Sequence, residues 1–591
     1  MNKGKKLIIL GITLLLGINV VGCGNKNEAI SEEDYLIKAK TFNEFVEKLP
    51  GEFYDEDDLN INYTFEHPEN FGYKKTLLKL PVPNKKDYVE GMNDSKKLIA
   101  QLKSFDRSSL KGQDKLTYDI LLDYFKIDEN HEDFYYFENN LLGSFIGFQA
   151  QLPLLLVEYK FNNKNDLDSY FNILKTSEAT FKKYATFEKE RQENEVGMPK
   201  VIVRKVIQQC ENFAKEDDIF LSNLINEKID TFTFLNDQEK VDAKAKNTEL
   251  VNTNLRNAYV TLGNELTKLE KSATSKDGGL STLKNGKDYY EYLLKQSTGV
   301  DMTPKAVKKY LESKQEDIMN EMMQLIMKHP EWAETYPEQP TFTATKTANE
   351  TLDYLGTKIS EDFPALATLN YKINPVPDSM KDNFSPAAFI TSRVDAPMET
   401  PSAIFINGEY DPSIFTTIAH EGYPGHMYQD AYFKSLQLDT IRYMINYQGY
   451  AEGWATYVEN ISNEYMGANP DVVKFYQLNN SYTNATIGLL DIDIHYESMS
   501  RNEFSKKLIE LFGDLPKKDI DEQYDLILET PANYNAYYLS CFMLQDYRAK
   551  AEKALGNKFD LKAFNQVLLD CGPSPFKVVE KQVNAYIKNN K

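Results

Sequence analysis

Cysteine, tryptophan and histidine are scarce in this chain of 591 residues, which has four Cys, two Trp and six His. Four widely spaced cysteines (Cys23, Cys210, Cys541 and Cys571) exclude a disulfide-stapled scaffold, which sets more cysteines into a shorter chain. The three beyond residue 23 read as buried small apolar residues, with one pairing among them left open. With 28 Gly and 23 Pro, the chain is too lean in both for a collagen-like or disordered polymer. Basic residues are outnumbered, 68 Lys and Arg against 89 Asp and Glu, for a net charge of −21. Phosphate backbones need basic stripes, so nucleic acid is excluded as a general partner. No apolar run beyond the N-terminus reaches transmembrane length, and no repeat recurs at solenoid periods. Against these absences stand 41% apolar and 12% aromatic residues, enough to bury one large core or two lobes.

The N-terminus has its own grammar. Lys3, Lys5 and Lys6 precede an apolar run from Leu7 to Val21, then Gly22 and Cys23, the order of a secretory signal too short for a stop-transfer helix. Val20-Val21-Gly22-Cys23 resembles a bacterial lipobox, which implies cleavage after residue 22 and a diacylglycerol anchor on Cys23. Cleavage removes three lysines and no acid, deepening the charge from −21 to −24. The polar residues 23–33 then form a flexible stalk. The expected location is the extracytoplasmic face of the cell membrane, touched only through the lipid.

From residue 34 to 271 apolar residues recur every three or four positions among charges, as in Leu167, Tyr170, Phe171 and Leu174 and in the run Val241 to Leu269. This spacing predicts an N-terminal lobe of amphipathic helices. Ser272 to Gly286, with Asp277-Gly278-Gly279, is the best internal boundary, and residues 286–591 form a C-terminal lobe. A helical block covers Tyr289 to His329. Strands are expected at Ala387 to Val394 and Ala403 to Asn407, short apolar runs between prolines and Gly408, and the second is a candidate edge for an extended peptide. Asp411-Pro412 opens a helical stretch that runs almost to the end. The fold class is therefore mainly α, with a small β-sheet beside the region of interest.

That region is His420-Glu421-Gly422-Tyr423-Pro424-Gly425-His426. Two imidazoles that bind zinc, with an intervening carboxylate that takes a proton from water, are the zincin arrangement. In the simple form the two His are four apart, about 40° around a helix, whereas six residues place them about 120° apart. Both reach one metal only if Pro424-Gly425 breaks or bulges the helix. A third ligand is needed, and Glu452 in Gly449-Tyr450-Ala451-Glu452-Gly453-Trp454-Ala455 is the candidate. Glu459, two turns further on the same face, is placed to hold a ligand His by its second nitrogen.

These segments resemble a family of bacterial zinc-dependent peptidases and lipoproteins known as domain of unknown function 885, distantly similar to helical gluzincins. The shared patterns are H-E-x-x-P-G-H at His420 to His426, E-G-W-A-x-Y-x-E at Glu452 to Glu459, D-x-x-x-H at Asp491 to His495, and P-x-x-x-x-x-Y at Pro531 to Tyr537 with Arg548 beyond. Gly286-Lys287-Asp288-Tyr289-Tyr290 and Met302-Thr303-Pro304 extend the likeness upstream. The family's usual Gly within D-x-G-x-H is Asp493 here, its G-Q after the late Pro is Ala532-Asn533, and its Lys after the late Tyr is Tyr538. The resemblance implies a two-lobed metallopeptidase-like fold with a deep channel and short peptides as substrates.

The expected function is zinc-dependent hydrolysis of peptide bonds in short peptides, with one Zn²⁺ on His420, His426 and Glu452 and with Glu421 as general base. His495, oriented by Asp491, and Tyr537 are candidate donors to the developing oxyanion, and Arg548 is a candidate grip for a peptide carboxylate. Two alternatives stay open at this point: a peptide-binding lipoprotein with a structural metal, and a hydrolase of another amide or ester.

Overall fold

The three- and four-residue apolar spacing becomes helix along most of the chain. The computed structural model describes residues 30–127, 131–215, 219–274, 278–366, 369–376, 381 and 385–591. The signal peptide, Cys23 and most of the stalk lie outside the described residues. No described helix is long and apolar enough to cross a membrane.

Local chemistry explains the helix ends. Asn163 caps Lys164–Glu193 by accepting from the Asn165 and Asp166 amides, and Asp166 reaches back to the cap. The buried face of this helix includes Leu167, Tyr170, Phe171 and Leu174. The expected run Val241 to Leu269 belongs to Asp237–Leu250 and Arg256–Leu269, joined by a π-helical turn at Val251–Leu255. The block from Tyr289 to His329 is interrupted. Gly299, at φ 68°, ends Gly286–Thr298 in the left-handed region, and Thr303 with Pro304 opens Pro304–Lys328.

One large apolar core lies within residues 59–273, where the paired helices Lys164–Glu193 and Arg256–Leu269 bury their faces. A second runs across the break at 272–286. It unites Phe45, Leu102 and Phe125 from the start of the chain with Trp454, Ile492, Leu539 and Val579 from its second half.

The sheet has three strands, β1 (Tyr371–Pro375), β2 (Ala387–Ile390) and β3 (Ser402–Ile406), in the order β1-β3-β2. β1 runs parallel to β3 with Ile373 opposite Ile404, and β2 antiparallel with Phe389 opposite Ile404. Two sequence expectations are corrected here. β3 is the central strand, paired on both sides, so it presents no edge; the edges are β1 and β2. And β2 stops at Ile390, because residues 391–396 leave the sheet to grip the start of the chain. Val394 donates its amide to Thr64, Arg393 pairs with Glu66 at 2.8 Å, and Asp395 accepts from the Glu66 and His67 amides. β1 was not foreseen, since Tyr-Lys-Ile-Asn-Pro is short, largely polar and closed by proline.

Phe389, Ile404 and Ile406 of the sheet pack with Leu352, Leu355, Phe415, Ile418, Ala419 and Met427 into a compact core. This core seats the helix Phe415–Glu421 against the sheet and so fixes where His420 and Glu421 emerge.

Candidate metal centre

Asp411 accepts from the Ser413 amide and starts a turn that leads into Phe415–Glu421. The helix stops at Glu421 and a new one begins at His426. Between them the chain is bent sharply: Gly425 donates its amide to Ala419, and Tyr428 to Gly422. The indole of Trp454 donates to the Pro424 carbonyl at 3.0 Å and pins the bend from the opposite helix. A Cβ on Gly425 would fall 1.8 Å from the His420 carbonyl oxygen, so no other residue fits. The break therefore does what the six-residue spacing required and returns His426 to the side of His420.

Glu452 comes from Gln448–Ser462, which crosses Asn533–Leu555 at very short range. A Cβ on Gly453 would lie 2.6 Å from the Cβ of Ser540, so this glycine permits the close approach. The crossing brings Glu452 and Tyr537 together, and the Tyr537 hydroxyl hydrogen-bonds the Glu452 carboxylate. The Tyr537 ring also stacks on His420, at 6.3 Å between centroids and 13° between planes.

His420, His426 and Glu452 form the one group among the described residues with the make-up and spacing of a metal site. Glu452 Oε2 lies 3.6 Å from His420 Nε2 and 3.2 Å from His426 Nε2. These separations bracket the ~3.4 Å edge of a tetrahedron with metal–ligand bonds of about 2.1 Å, the length zinc makes with imidazole and carboxylate. His420 Nε2 is buried without a hydrogen-bond partner, as a nitrogen kept for a metal would be. Its other nitrogen, Nδ1, is 3.2 Å from Glu459 Oε2, an arrangement that orients the ring. The residues present fit a divalent cation of the zinc type.

Electrostatics agree. Burial disfavours charge on His420, but its contacts with Glu452 and Glu459 outweigh that and lift it to about 10. Burial likewise opposes the Glu452 carboxylate, and the two imidazoles outweigh it, drawing it down to about 2. Three carboxylates thus converge on two imidazoles in a buried space, a concentration of negative charge that a cation offsets.

Glu421 stands beside the group. Its carboxylate accepts from the Phe389 amide of β2, its Oε2 is buried without a partner, and burial raises its pKa. Phe389 in turn stacks on His426 at 6.4 Å. Sequence reasoning missed this role of β2, which rests on strand pairing across many residues and left no local signal.

Three expected site residues are placed otherwise. His495 is buried, accepts at Nδ1 from the Leu280 amide (3.2 Å) and donates from Nε2 to the Ile527 carbonyl (2.8 Å). Both nitrogens are thus committed to backbone, and the ring is a neutral tie between chain segments instead of an oxyanion donor. Asp491 does not orient it: at 3.9 Å from His495 Nε2, its carboxylate is out of hydrogen-bond range. Arg548 bonds Glu552 at 2.8 Å on its own helix and the Tyr457 hydroxyl. These contacts join helices and include none with the metal group.

The family of bacterial proteins of unknown function DUF885 matches residues 69–583. The chain belongs to DUF885. Two solved structures resemble this DUF885 protein in fold. A candidate lipoprotein from Colwellia psychrerythraea superposes with a TM-score of 0.79 at 16% identity, covering 93% of this chain and 100% of its own. A candidate lipoprotein of unknown function from Shewanella oneidensis gives 0.61 at 15% identity, covering 92% and 99%. No match was found among curated proteins.

Proposed function

We propose that this DUF885 protein is a zinc-dependent hydrolase of peptide bonds in short peptides, held by a lipid on Cys23 at the extracytoplasmic face of the cell membrane. The observation that carries the reading is Glu421. A carboxylate with a partnerless buried oxygen, adjoining a His-His-Glu group of metal-binding dimensions, supports the reading of Glu421 as a general base. Three ligands leave a fourth position open, which favours catalysis over a closed structural site.

His420, His426 and Glu452 would hold the zinc, and Glu459 would keep His420 oriented. What zinc supplies when bound is Lewis acidity toward a carbonyl oxygen and toward water. Glu421 takes the proton from the attacking water on its carboxylate and passes it to the leaving amine. Tyr537, bonded to Glu452, would donate a hydrogen bond from its hydroxyl to the oxyanion. β2 adds an element that suits peptides. The Asn407 amide bonds the Pro386 carbonyl, so alternation along the antiparallel ladder turns the Ala387 amide and the Phe389 carbonyl toward the open edge beside the metal group, where the Phe389 amide is already held by Glu421 and the Ala387 carbonyl by the Ser385 hydroxyl. An extended backbone can pair there, whereas an isolated ester or amide cannot. The lipid anchor is supported by the Val20-Val21-Gly22-Cys23 segment and by the candidate lipoproteins that share the fold.

The test is a mixed library of short peptides incubated with the zinc-loaded mature chain and analysed by mass spectrometry. Cleavage at peptide bonds, abolished in Glu421→Gln and by chelation, is the expected result. An intact library in the presence of hydrolysed ester or non-peptide amide substrates would overturn the peptide assignment.

A further inference from the structure

Asp491 is a buried carboxylate that the reaction above does not use. Its Oδ1 accepts from the Ala532 amide at 3.0 Å, and its Oδ2 accepts from the Tyr290 hydroxyl and from Asn535 Nδ2, both at 2.7 Å. Asn535 Nδ2 also donates to the Gly488 carbonyl at 3.1 Å. Among the described residues no lysine or arginine pairs with the group; the imidazole at 3.9 Å is His495, whose Nε2 proton belongs to Ile527. Burying a carboxylate without a cation is costly unless hydrogen bonds and dipoles replace the lost water. Here the replacement is the N-terminus of the 23-residue helix Asn533–Leu555, where partial positive charge gathers.

The anchored residue is unusual. Ala532 sits at φ +63°, a left-handed conformation that is unfavourable for a residue with a Cβ. The same carboxylate that accepts its amide also holds Asn535 one turn on, so position and rotation of the helix start are both specified. Tyr537 follows two residues later, and the next anchor, Ser540 against Gly453, three residues after that. Tyr537 therefore lies between two fixed points, one of which is Asp491.

We propose that Asp491 is a positioning residue that sets the reach of the Tyr537 hydroxyl to Glu452, acting through Ala532 and Asn535. The proposal rests on the functional reading above for its effect on turnover, but its geometric content is independent of it. Loss of the carboxylate frees the helix start, and the hydroxyl no longer holds its place beside the third ligand.

The experiment uses the full mature chain with fluorotyrosine placed at position 537, whose fluorine resonance reports the surroundings of that ring with or without zinc. Asp491→Asn, and the milder Tyr290→Phe that removes one donor, are expected to shift or split this resonance in both forms. In the zinc-loaded protein the same variants should lower kcat about 10-fold or more with KM nearly unchanged, in the range typical of groups that orient metal ligands. Added to Tyr537→Phe, Asp491→Asn should cost nothing further. An unchanged resonance in folded Asp491→Asn, or in Tyr290→Phe should the former not fold, overturns the proposal, as do losses that multiply in the double variant. A wild-type chain that cleaves no peptide sinks the functional reading alone and leaves the fluorine result to decide this one.

Discussion

Glu421 is the residue on which the proposed chemistry turns, and its neighbours make its variant informative. Glu421→Gln keeps the shape and the bond from the Phe389 amide but cannot accept a proton. Zinc content should stay at the wild-type level while kcat falls by about 10²–10⁴, the usual worth of a general base. Steady-state kinetics beside metal analysis checks this, and a variant with wild-type turnover would remove Glu421 from the mechanism. The cysteines offer a second residue-scale check. Cys210, Cys541 and Cys571 are all buried and free of disulfides, and burial pushes Cys210 and Cys571 up to about 12. In a chain lacking residues 1–23, a thiol reagent should find none reactive in the native state and three after denaturation. A reactive thiol in native protein would show that the local packing is wrong.

At the scale of elements, the Gly453 crossing decides whether Glu452 and Tyr537 meet. Gly453→Ala brings a methyl to 2.6 Å from Ser540 Cβ, and the two helices must separate. Overpacking of this kind costs about 1–3 kcal/mol, readable as a fall in thermal midpoint together with weakened zinc binding. Adding Ser540→Gly should recover part of both; no recovery would mean that the contact does not set the helix spacing. Helix Phe220–Asp230 supplies a pH test. Burial draws Lys228 down to about 8, against 10.5 for an ordinary lysine. Its folded pKa is depressed, so between those values the unfolded chain binds more protons and stability rises with pH. Lys228→Met should therefore be more stable than wild type at pH 7, with the gap closing as pH rises from 8 toward 10.5. Denaturant titrations across that range measure it, and a gap independent of pH would contradict a desolvated lysine.

Over the whole molecule, legibility in the sequence followed the range of the interaction. Helices were readable because their apolar spacing is local, as at Leu167, Tyr170, Phe171 and Leu174, all buried in one helix. The meeting of His420, His426 and Glu452 was readable because H-E-x-x-P-G-H and E-G-W confine these candidate ligands to two short segments. The rest depends on partners far away in the chain. Whether β3 is an edge is settled by β1 and β2 on either side, and β1 carries almost no strand signal of its own. His495 looked like a catalytic candidate because Asp491 lies one turn earlier; its true partners, Leu280 and Ile527, are 215 and 32 residues away. Likewise Gln113 and Thr117 of the helix Gly112–Ile127 meet Arg442, which is wholly buried and also bonds the Cys571 carbonyl. The family's usual Gly after the late Pro has a physical reading once Ala532 is seen at positive φ.

The claim that joins these scales is that His420, His426 and Glu452 hold one zinc ion. Elemental analysis of the purified mature chain, with His420→Ala, His426→Ala and Glu452→Ala prepared in parallel, tests it directly. The account predicts one zinc per wild-type chain and its loss from each variant, with all four proteins folded by circular dichroism. A folded wild type that takes up no zinc when it is supplied, or variants that retain it, would contradict the account.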